Sequence, residues 1–274
     1  MQSKRSNVTI KFANFCRKNF LAPLFIKLRV LNSCITSSLL YGSEVWGVSK
    51  VPKLESLYRQ GLKIALSVRN NVNNEIVYTE SGENPLELRI TKQQLKFWIG
   101  MKELADSNPD HYISKLINAT KDTPFIKHYL QIEQKYTSVS KCSDELQHCL
   151  KSTRELKINE AAIGDGDSRL GTYLSVNPTL CQPTFDGLLE FQRVLVTRYR
   201  TGSHNLRIES GRTPYIPREE RLCICNDDIQ TVKHVFLHCR LLTELRTRYE
   251  VTSIAVGLTN VCFLLEMEKL LGIA

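Results

Sequence analysis

Residues 223–239 read CICNDDIQTVKHVFLHC and bring three cysteines and two histidines into seventeen positions. A structural zinc ion is held by four sulfur or nitrogen ligands in a tetrahedron. Cys223 and Cys225, on a tight turn, are followed by His234 and Cys239, which complete such a set. The pattern predicts a structural zinc site. Because three cysteines and one histidine close the coordination shell, the site leaves no open position for an activated water.

The spacing inside this cluster is unusual at two points. Only Ile224 separates the first two cysteines, whereas related motifs commonly have about two to four residues there. His234 and Cys239 are five positions apart, so both can face one ion only at a helix end or a bend. His238 is an alternative fourth ligand, but it lies next to Cys239 and the two are not expected to bind together. The competing interpretation is a group of buried cysteines beside unrelated histidines.

The remaining composition favours an intracellular protein, in the nucleus or the cytoplasm. The chain has nine cysteines, an odd number, and six of them are scattered, which argues against a disulfide framework. No apolar run approaches the roughly 20 residues of a membrane span, so no membrane association is expected. Charged residues interrupt every apolar stretch of the first thirty residues, which is not the pattern of a signal peptide.

Positive charge is unevenly distributed along the 274 residues, whose net charge is +9. Residues 1–100 hold 15 Lys and Arg against 6 Asp and Glu, whereas residues 101–185 hold 10 against 11. From Arg193 to Arg221 there are seven arginines, no lysine and three acidic residues. Two basic regions around a neutral middle are compatible with binding to a phosphate backbone. A solvated surface explains the charge about equally well.

Helical periodicity dominates the chain and predicts a mainly α fold. Apolar residues recur with helical spacing from Leu24 to Leu39, and few segments alternate as strands do. Trp46, Trp98 and Tyr199 lie on such apolar stripes, so we interpret them as packing residues. The alternative role for Tyr199 is stacking on a nucleic-acid base. The glycine- and proline-rich stretch 162–183 is interpreted as a linker or a domain boundary.

Longer motifs on both sides of the chain resemble one family. The C-terminal half contains TRYRTGSHNLRIE (197–209), GR (211–212) and IPREERLC (216–223), and the N-terminal part contains LLYGSEVWG (39–47), VYTESG (77–82), PL (85–86) and LKFW (95–98). The first set resembles the C-terminal region of LINE-type (non-LTR) retrotransposon reverse transcriptases. There, an arginine-rich arm leads to a Cys/Cys/His/Cys zinc knuckle. The second set is similar to the segment that follows the polymerase palm in the same polyproteins.

The resemblance implies a helical thumb-like part and a helical connector, followed by a small zinc-knuckle module. The implied segments are a thumb-like segment at 1–105, a connector with a loop-rich linker at 106–185, the arginine-rich arm and knuckle at 186–245, and a C-terminal helix at 246–274. The chain would be a C-terminal fragment that positions RNA and target DNA for target-primed reverse transcription. The palm-bearing remainder of the reverse transcriptase is a further implied partner.

No complete active site is expected in this chain, although the parent family is an RNA-directed DNA polymerase. Polymerase chemistry needs paired aspartates on a hairpin that hold two metal ions. The only adjacent pair, Asp227 and Asp228, lies inside the cysteine cluster, and Asp165 and Asp167 lie in a glycine-rich stretch. We interpret all four as turn residues, so no catalytic residue is assigned.

Candidate nucleic-acid contacts follow from the basic side chains. On the arm they are Arg198, Arg200, His204, Arg207 and Arg212, with Lys233 beside the zinc. On the thumb-like helix, Arg89, Lys92 and Lys96 recur three and four positions apart and are candidates for gripping a template–primer duplex. A solvated helix face explains the second set about equally well. The alternative functions are a host-recruited zinc-knuckle binding or interaction module, and a non-functional remnant of an element.

Overall fold

Helices make up most of the structure, a computed structural model that describes residues 2–46, 51–108, 110–136, 144–145, 148–149, 152, 155–156 and 169–273. In these ranges the sole β-type pairing is an isolated antiparallel bridge between Leu222 and Ile229. The predicted mainly α fold class is therefore confirmed. No helix within the described ranges is long and apolar enough to cross a membrane.

The longest helices of the described residues lie in the first half of the chain. That half contains α1 (Gln2–Lys18), α2 (Leu24–Val30), α3 (Ser37–Leu40), α4 (Ser43–Trp46), α5 (Val51–Leu66), α6 (Asn74–Ser81), the long α7 (Leu86–Ser107), α8 (Tyr112–Thr120) and α9 (Pro124–Lys135). The second half contains α10 (Arg169–Val176), α11 (Glu190–Arg200), α12 (Arg207–Ser210), α13 (Thr243–Arg248), α14 (Ile254–Thr259) and α15 (Val261–Leu270). Two 3₁₀ turns, Arg218–Glu220 and Arg240–Leu242, and two π-helical turns, Leu31–Thr36 and His234–His238, complete the set.

The chain divides into two compact units, each built from three separate stretches. The first unit comprises Met1–Phe12, Arg29–Gly61 and Glu83–Arg154, and the second comprises Ala13–Leu28, Leu62–Gly82 and Glu155–Ala274. The four consecutive segments implied by the family resemblance stay a prediction. Local periodicity does not indicate that stretches far apart in the chain share one core, so it cannot predict this interleaving.

The first unit is organised around α7, against which α4, α8 and α9 pack. Trp98 of α7 is 1% exposed, and its ring stacks on Tyr129 of α9 with the centroids 5.3 Å apart. The indole Nε1 donates a hydrogen bond of 2.8 Å to Glu133. The predicted packing role of Trp98 is confirmed. Trp46 is half-buried, and its Nε1 donates to the carbonyl of Tyr41 at 2.7 Å.

The α-helix predicted from Leu24 onwards is interrupted by the π-helical turn Leu31–Thr36. Serine hydroxyls bond to the carbonyls behind them, with Ser33 donating to Val30 at 3.3 Å and Ser38 donating to Cys34 at 2.8 Å. Such bonds compete with the helical ladder and bend helices. The apolar stripe itself is preserved, since Leu31, Ile35 and Leu39 are buried.

The second unit has its own core, formed by aromatic and aliphatic side chains around α11 and the C-terminal helices. Tyr199, Phe236 and Phe263 are fully buried there, together with Met267 and three of the cysteines. The Tyr199 hydroxyl donates a hydrogen bond of 3.0 Å to Glu268. The predicted core role of Tyr199 is confirmed.

Buried ion pairs join the separate stretches of the second unit. Lys27, 1% exposed, lies 2.7 Å from a Glu190 carboxylate oxygen and also donates to the carbonyl of Phe20 at 2.9 Å. Arg193 shares the same carboxylate at 2.8 Å. Such pairs are costly to break from one side, because the remaining charge is left buried. They therefore tie the stretch before residue 28 to α11.

The stretch 162–183, interpreted above as a linker, contains α10, and there the prediction is wrong. Tyr173 of this helix is fully buried and donates a hydrogen bond of 2.9 Å to Glu80. The tertiary contact of Tyr173 outweighs the helix-breaking tendency of Gly171. The predicted turn at Asp165 and Asp167 lies outside the described residues.

Candidate metal centre and arginine cleft

Four potential metal ligands converge in the second unit. The Sγ atoms of Cys223, Cys225 and Cys239 and a ring nitrogen of His234 all lie within 4.8 Å of one another. The four side chains are 0 to 3% exposed. This buried group can hold a metal ion, and it consists of the four residues that the sequence predicts.

The distances within the group fit a tetrahedral ion with sulfur ligands. A metal–sulfur bond of about 2.3 Å implies neighbouring sulfurs roughly 3.8 Å apart in a regular tetrahedron. The Sγ atoms of Cys223 and Cys239 are 3.7 Å apart. Cys225 Sγ lies 3.2 Å from Nε2 of His234, so Nε2 is the ring nitrogen that faces the sulfurs.

A tight hairpin accommodates the single residue between the first two cysteines. The backbone N–H of Cys223 donates to the carbonyl of Asp228 at 2.8 Å, and that of Asn226 donates to the carbonyl of Cys223 at 2.9 Å. Asn226 has a left-handed φ of 60°, a conformation that asparagine tolerates better than most residues. The chain therefore reverses directly after Cys225, and Ile224 points outward, 42% exposed.

A π-helical turn explains the five-residue interval between His234 and Cys239. Its hydrogen bond runs from the N–H of Cys239 to the carbonyl of His234 at 2.8 Å. This turn provides the bend that His234 and Cys239 need in order to face the same ion. His238, the alternative ligand, is exposed and lies outside the four-residue group, so the structure selects Cys239.

Charged side chains around the cluster hold its backbone in place. Arg240 donates to the carbonyl of Cys225 at 2.8 Å, and its Nε lies 3.1 Å from Asp227. The second carboxylate of the hairpin, Asp228, lies 3.8 Å from Nδ1 of His234, on the side of the ring away from the sulfurs. Carboxylates in this position orient metal-binding histidines. Asp227 and Asp228 lie in a bend, as their interpretation as turn residues requires.

Burial disfavours the charged forms of the four ligand side chains. It raises the pKa of the Cys239 thiol to about 12 and raises the pKa of Cys225 as well. It also lowers the pKa of His234, which favours the neutral ring. A neutral imidazole is the form that binds a metal ion, and a cation is what stabilises thiolates in such surroundings.

Four of the predicted nucleic-acid contacts are exposed on the second unit. They are Arg198, Arg207, Arg212 and Lys233. Two of these guanidinium groups also bond to backbone carbonyls: Arg198 to Ser67 at 3.1 Å, and Arg207 to Leu222 at 3.0 Å. Arg207 is thereby attached directly beside Cys223.

Arg200 is half-buried and His204 is buried, and contact with nucleic acid stays a prediction for both. Arg200, 11% exposed, forms an ion pair of 3.0 Å with the fully buried Glu80. His204 is 3% exposed and stacks on Tyr199 with ring centroids 4.9 Å apart. Burial, with the charges of two nearby arginines, lowers the pKa of His204 to about 3, so the ring is neutral.

The three basic residues predicted on the thumb-like helix lie on α7 of the first unit. Arg89 forms an ion pair with Glu83 and donates to Asn32 at 3.0 Å, so it belongs to a local polar network. Lys92 is half-buried and Lys96 is exposed. Contact with a template–primer duplex stays a prediction for these residues.

A cleft of about 620 Å³ in the second unit is rich in arginine, and we call it the arginine cleft. It is lined by Asn71, Asn73, Ile76, Arg169, Leu170, Thr201, Ile208, Arg212, Arg218 and Arg221. Sequence reasoning selected Arg212 alone among these arginines. Arg218 and Arg221 belong to the arginine run that begins at Arg193, which was the available signal. Nothing in the sequence marked Arg169 as a binding residue, because it lies in the stretch interpreted as a linker.

Comparison with known protein families, with curated proteins and with solved structures finds no match to this chain. The chemistry of the site follows from its own residues. They form a closed set of three thiols and one imidazole, with exposed basic side chains bonded to its backbone.

Proposed function

We propose that this chain is a nucleic-acid-binding part of a LINE-type non-LTR retrotransposon reverse transcriptase, stabilised by a structural zinc ion. One observation carries the proposal: basic side chains are attached to the backbone of the metal-ligand cluster. Arg207 bonds to Leu222, directly before Cys223, and Arg240 bonds to Cys225. An ion that orders the cluster would thereby also order these guanidinium groups.

Zinc is the ion that the ligand set favours. Three thiolates and one imidazole in a tetrahedron are a common structural zinc set, whereas hard cations such as Mg²⁺ and Ca²⁺ prefer oxygen ligands. With all four positions taken by protein, the ion would stabilise the fold and would take no direct part in catalysis. Cys223, Cys225, His234 and Cys239 would hold it.

Nucleic acid is the partner that the surface charge favours. Four arginines of the stretch from Arg193 to Arg221 are exposed, against two exposed acidic residues: Arg198, Arg207, Arg212 and Arg218 against Glu219 and Glu220. The planar guanidinium fork suits phosphate oxygens, and contacts to phosphate set affinity and register without reading the sequence. The role proposed on the family resemblance is to position RNA and target DNA for target-primed reverse transcription, alongside a palm-bearing partner.

The test is binding of a fluorescein-labelled single-stranded RNA to the full chain, followed by fluorescence anisotropy from about 50 to about 300 mM KCl. We expect affinity to fall steeply with salt, with a slope of log K against log salt of about −2 to −4. Replacing both exposed arginines, Arg198→Gln with Arg207→Gln, should weaken binding about tenfold. An affinity that does not change with salt would overturn the proposal.

A matched control separates local contacts from total charge. The control variant, Arg248→Gln with Lys269→Gln, also removes two positive charges, but from other exposed positions of the second unit. We expect this control to bind RNA within about twofold of the wild type. If both double variants lose affinity equally, general charge would explain the binding and the assignment to the arm would fail.

A further inference from the structure

We infer that the arginine cleft binds the sugar–phosphate backbone of a nucleic-acid strand. The inference rests on the proposed function and names a place for it, one built mostly from residues outside the predicted contact set. Three observations support the cleft as a phosphate site: its excess of positive charge, the fixed positions of its guanidinium groups, and glycines that make room for two of them.

The cleft is strongly cationic. Four arginines and no acidic residue line it. The carboxylate of Glu209, 4% exposed, is shared by two of these arginines: Arg169 Nε donates to it at 2.9 Å, and Arg212 Nε lies 3.1 Å from it. One negative charge divided between two guanidinium groups leaves positive charge unbalanced, and phosphate oxygens can neutralise it.

Two cleft arginines are held in fixed positions before any ligand arrives. Arg221 donates to the carbonyls of Ile216 and Ile208, each at 2.9 Å. Arg169 is held by Glu209, and Nη1 of Arg169 donates a hydrogen bond of 3.3 Å to the carbonyl of Asn71. Because these side chains are already ordered, binding a phosphate costs less side-chain entropy than it would at flexible surface arginines.

Two glycines leave the space that these arginines occupy. A Cβ atom at Gly211 would lie 2.9 Å from Cδ of Arg221, and a Cβ atom at Gly202 would lie 2.8 Å from Cγ of Arg169. Both distances are shorter than real Cβ contacts. The backbone therefore approaches these two arginines closely because the residues beside them have no side chain.

The cleft suits a chain of phosphates better than a single small anion. Its volume of about 620 Å³ exceeds the space that one inorganic phosphate fills. The neutral polar residues Asn71 and Asn73 are exposed beside the arginines and can bond to phosphate oxygens or sugar hydroxyls. Protein contacts to phosphates and sugars come from asparagine as well as from arginine side chains.

The experiment places one negative charge inside the cleft and one outside it. Asn71→Asp puts a carboxylate at an exposed position among the arginines of the cleft. Asn19→Asp adds a carboxylate at an exposed position of the second unit that does not line the cleft. A second pair removes a positive charge: Arg218→Gln inside the cleft, and Arg248→Gln outside it. Thermal unfolding by circular dichroism confirms that each variant is folded.

Single-stranded RNA binding is measured by anisotropy for all four variants. We expect Asn71→Asp and Arg218→Gln each to weaken binding at least about fivefold and Arg218→Gln to reduce the salt slope by about 0.7. Asn19→Asp and Arg248→Gln should stay within about twofold of the wild type. Equal losses inside and outside the cleft would overturn the inference while leaving the proposed function standing.

Inorganic phosphate distinguishes a strand from a free anion. At constant ionic strength, phosphate at about 5 mM should displace little RNA, because a strand makes several contacts at once. Complete displacement would assign the cleft to the free ion and overturn the inference. If the wild-type chain shows no salt-sensitive binding to RNA, the proposed function fails, and this inference fails with it.

Discussion

The backbone N–H of Cys239 donates a hydrogen bond of 2.8 Å to the carbonyl oxygen of His234, five residues earlier in the chain. An α-helix would make this bond over four residues. The additional residue widens the turn, and the backbone leaves it at Cys239 in a non-helical conformation with φ −60° and ψ 120°. This geometry directs the histidine ring and the cysteine sulfur at the same point.

The first prediction tests the spacing of this turn. Deleting Leu237 shortens the interval to the α-helical four residues and rotates Cys239 away from the other ligands. We expect the deletion variant to retain much less than one metal ion per chain. Leu237→Ala, which keeps the spacing at a half-buried position, should bind metal normally. Metal content by mass spectrometry decides the outcome, and equal content in both variants would contradict this role of the turn.

The second prediction concerns the identity and the effect of the ion. Cys223→Ser should lower the zinc content of the purified chain, and it should lower the melting temperature because metal binding contributes folding free energy. A chelator should shift the wild type in the same direction. Cys262→Ser removes an exposed cysteine outside the cluster and should change neither quantity. The cluster would be a metal-free core if Cys223→Ser behaved like this control.

The third prediction compares two arginines of the same helix, one paired with a buried carboxylate and one exposed. Arg200→Met leaves the Glu80 carboxylate buried without its charged partner, so it should lower the free energy of unfolding by about 3 kcal/mol. Arg198→Met, at an exposed position, should cost less than about 0.5 kcal/mol. Adding Glu80→Gln to Arg200→Met should recover part of the loss. Urea unfolding measures all three, and equal costs at the two arginines would refute the buried ion pair.

The fourth prediction follows from the neutral imidazole of His204. Burial and the charges of Arg69 and Arg169 lower its pKa to about 3 in the folded chain, whereas an unfolded histidine has a pKa of about 6.5. The stabilisation is therefore fully present above about pH 6.5 and is lost as the pH falls towards 3, by up to about 1.4 kcal/mol per pH unit.

His204→Phe removes this titration while keeping a ring that can stack on Tyr199. The unfolding free energy of this variant should fall less steeply than that of the wild type between about pH 6.5 and 5. Burial lowers the pKa of His234 as well, so His234 also takes up a proton on unfolding in acid, and the measured quantity is the difference between the two slopes. Parallel curves would show that His204 does not titrate on unfolding.

The metal cluster was the part of the site most open to prediction from the sequence. Its four ligands fall within seventeen residues, so a hairpin and one helical turn are sufficient to assemble them. The choice between His238 and Cys239 needed the π-helical turn, which no periodicity in the sequence indicates. The mainly α class was predictable because apolar spacing is a local property.

The basic residues were less predictable because burial is decided by distant partners. Arg198 and Arg200 are two positions apart and look equivalent in the sequence. Glu80, more than a hundred residues away, pairs with Arg200 and removes it from the surface. Arg169 is the opposite case, since a residue assigned to a linker lines the cleft. Both outcomes depend on long-range packing, which composition and charge patterns do not encode.

The salt bridge between Lys27 and Glu190 bears on how this module can be inherited or transplanted. A fragment cut at residue 186 would retain all four metal ligands and the whole arginine-rich arm. It would lose Lys27 and Glu80, so Glu190 would keep only Arg193 of its two cationic partners and Arg200 would lose its ion-pair partner. Moving the metal cluster as one contiguous segment would therefore give a destabilised domain. Functional transfer requires the early segments to travel with it.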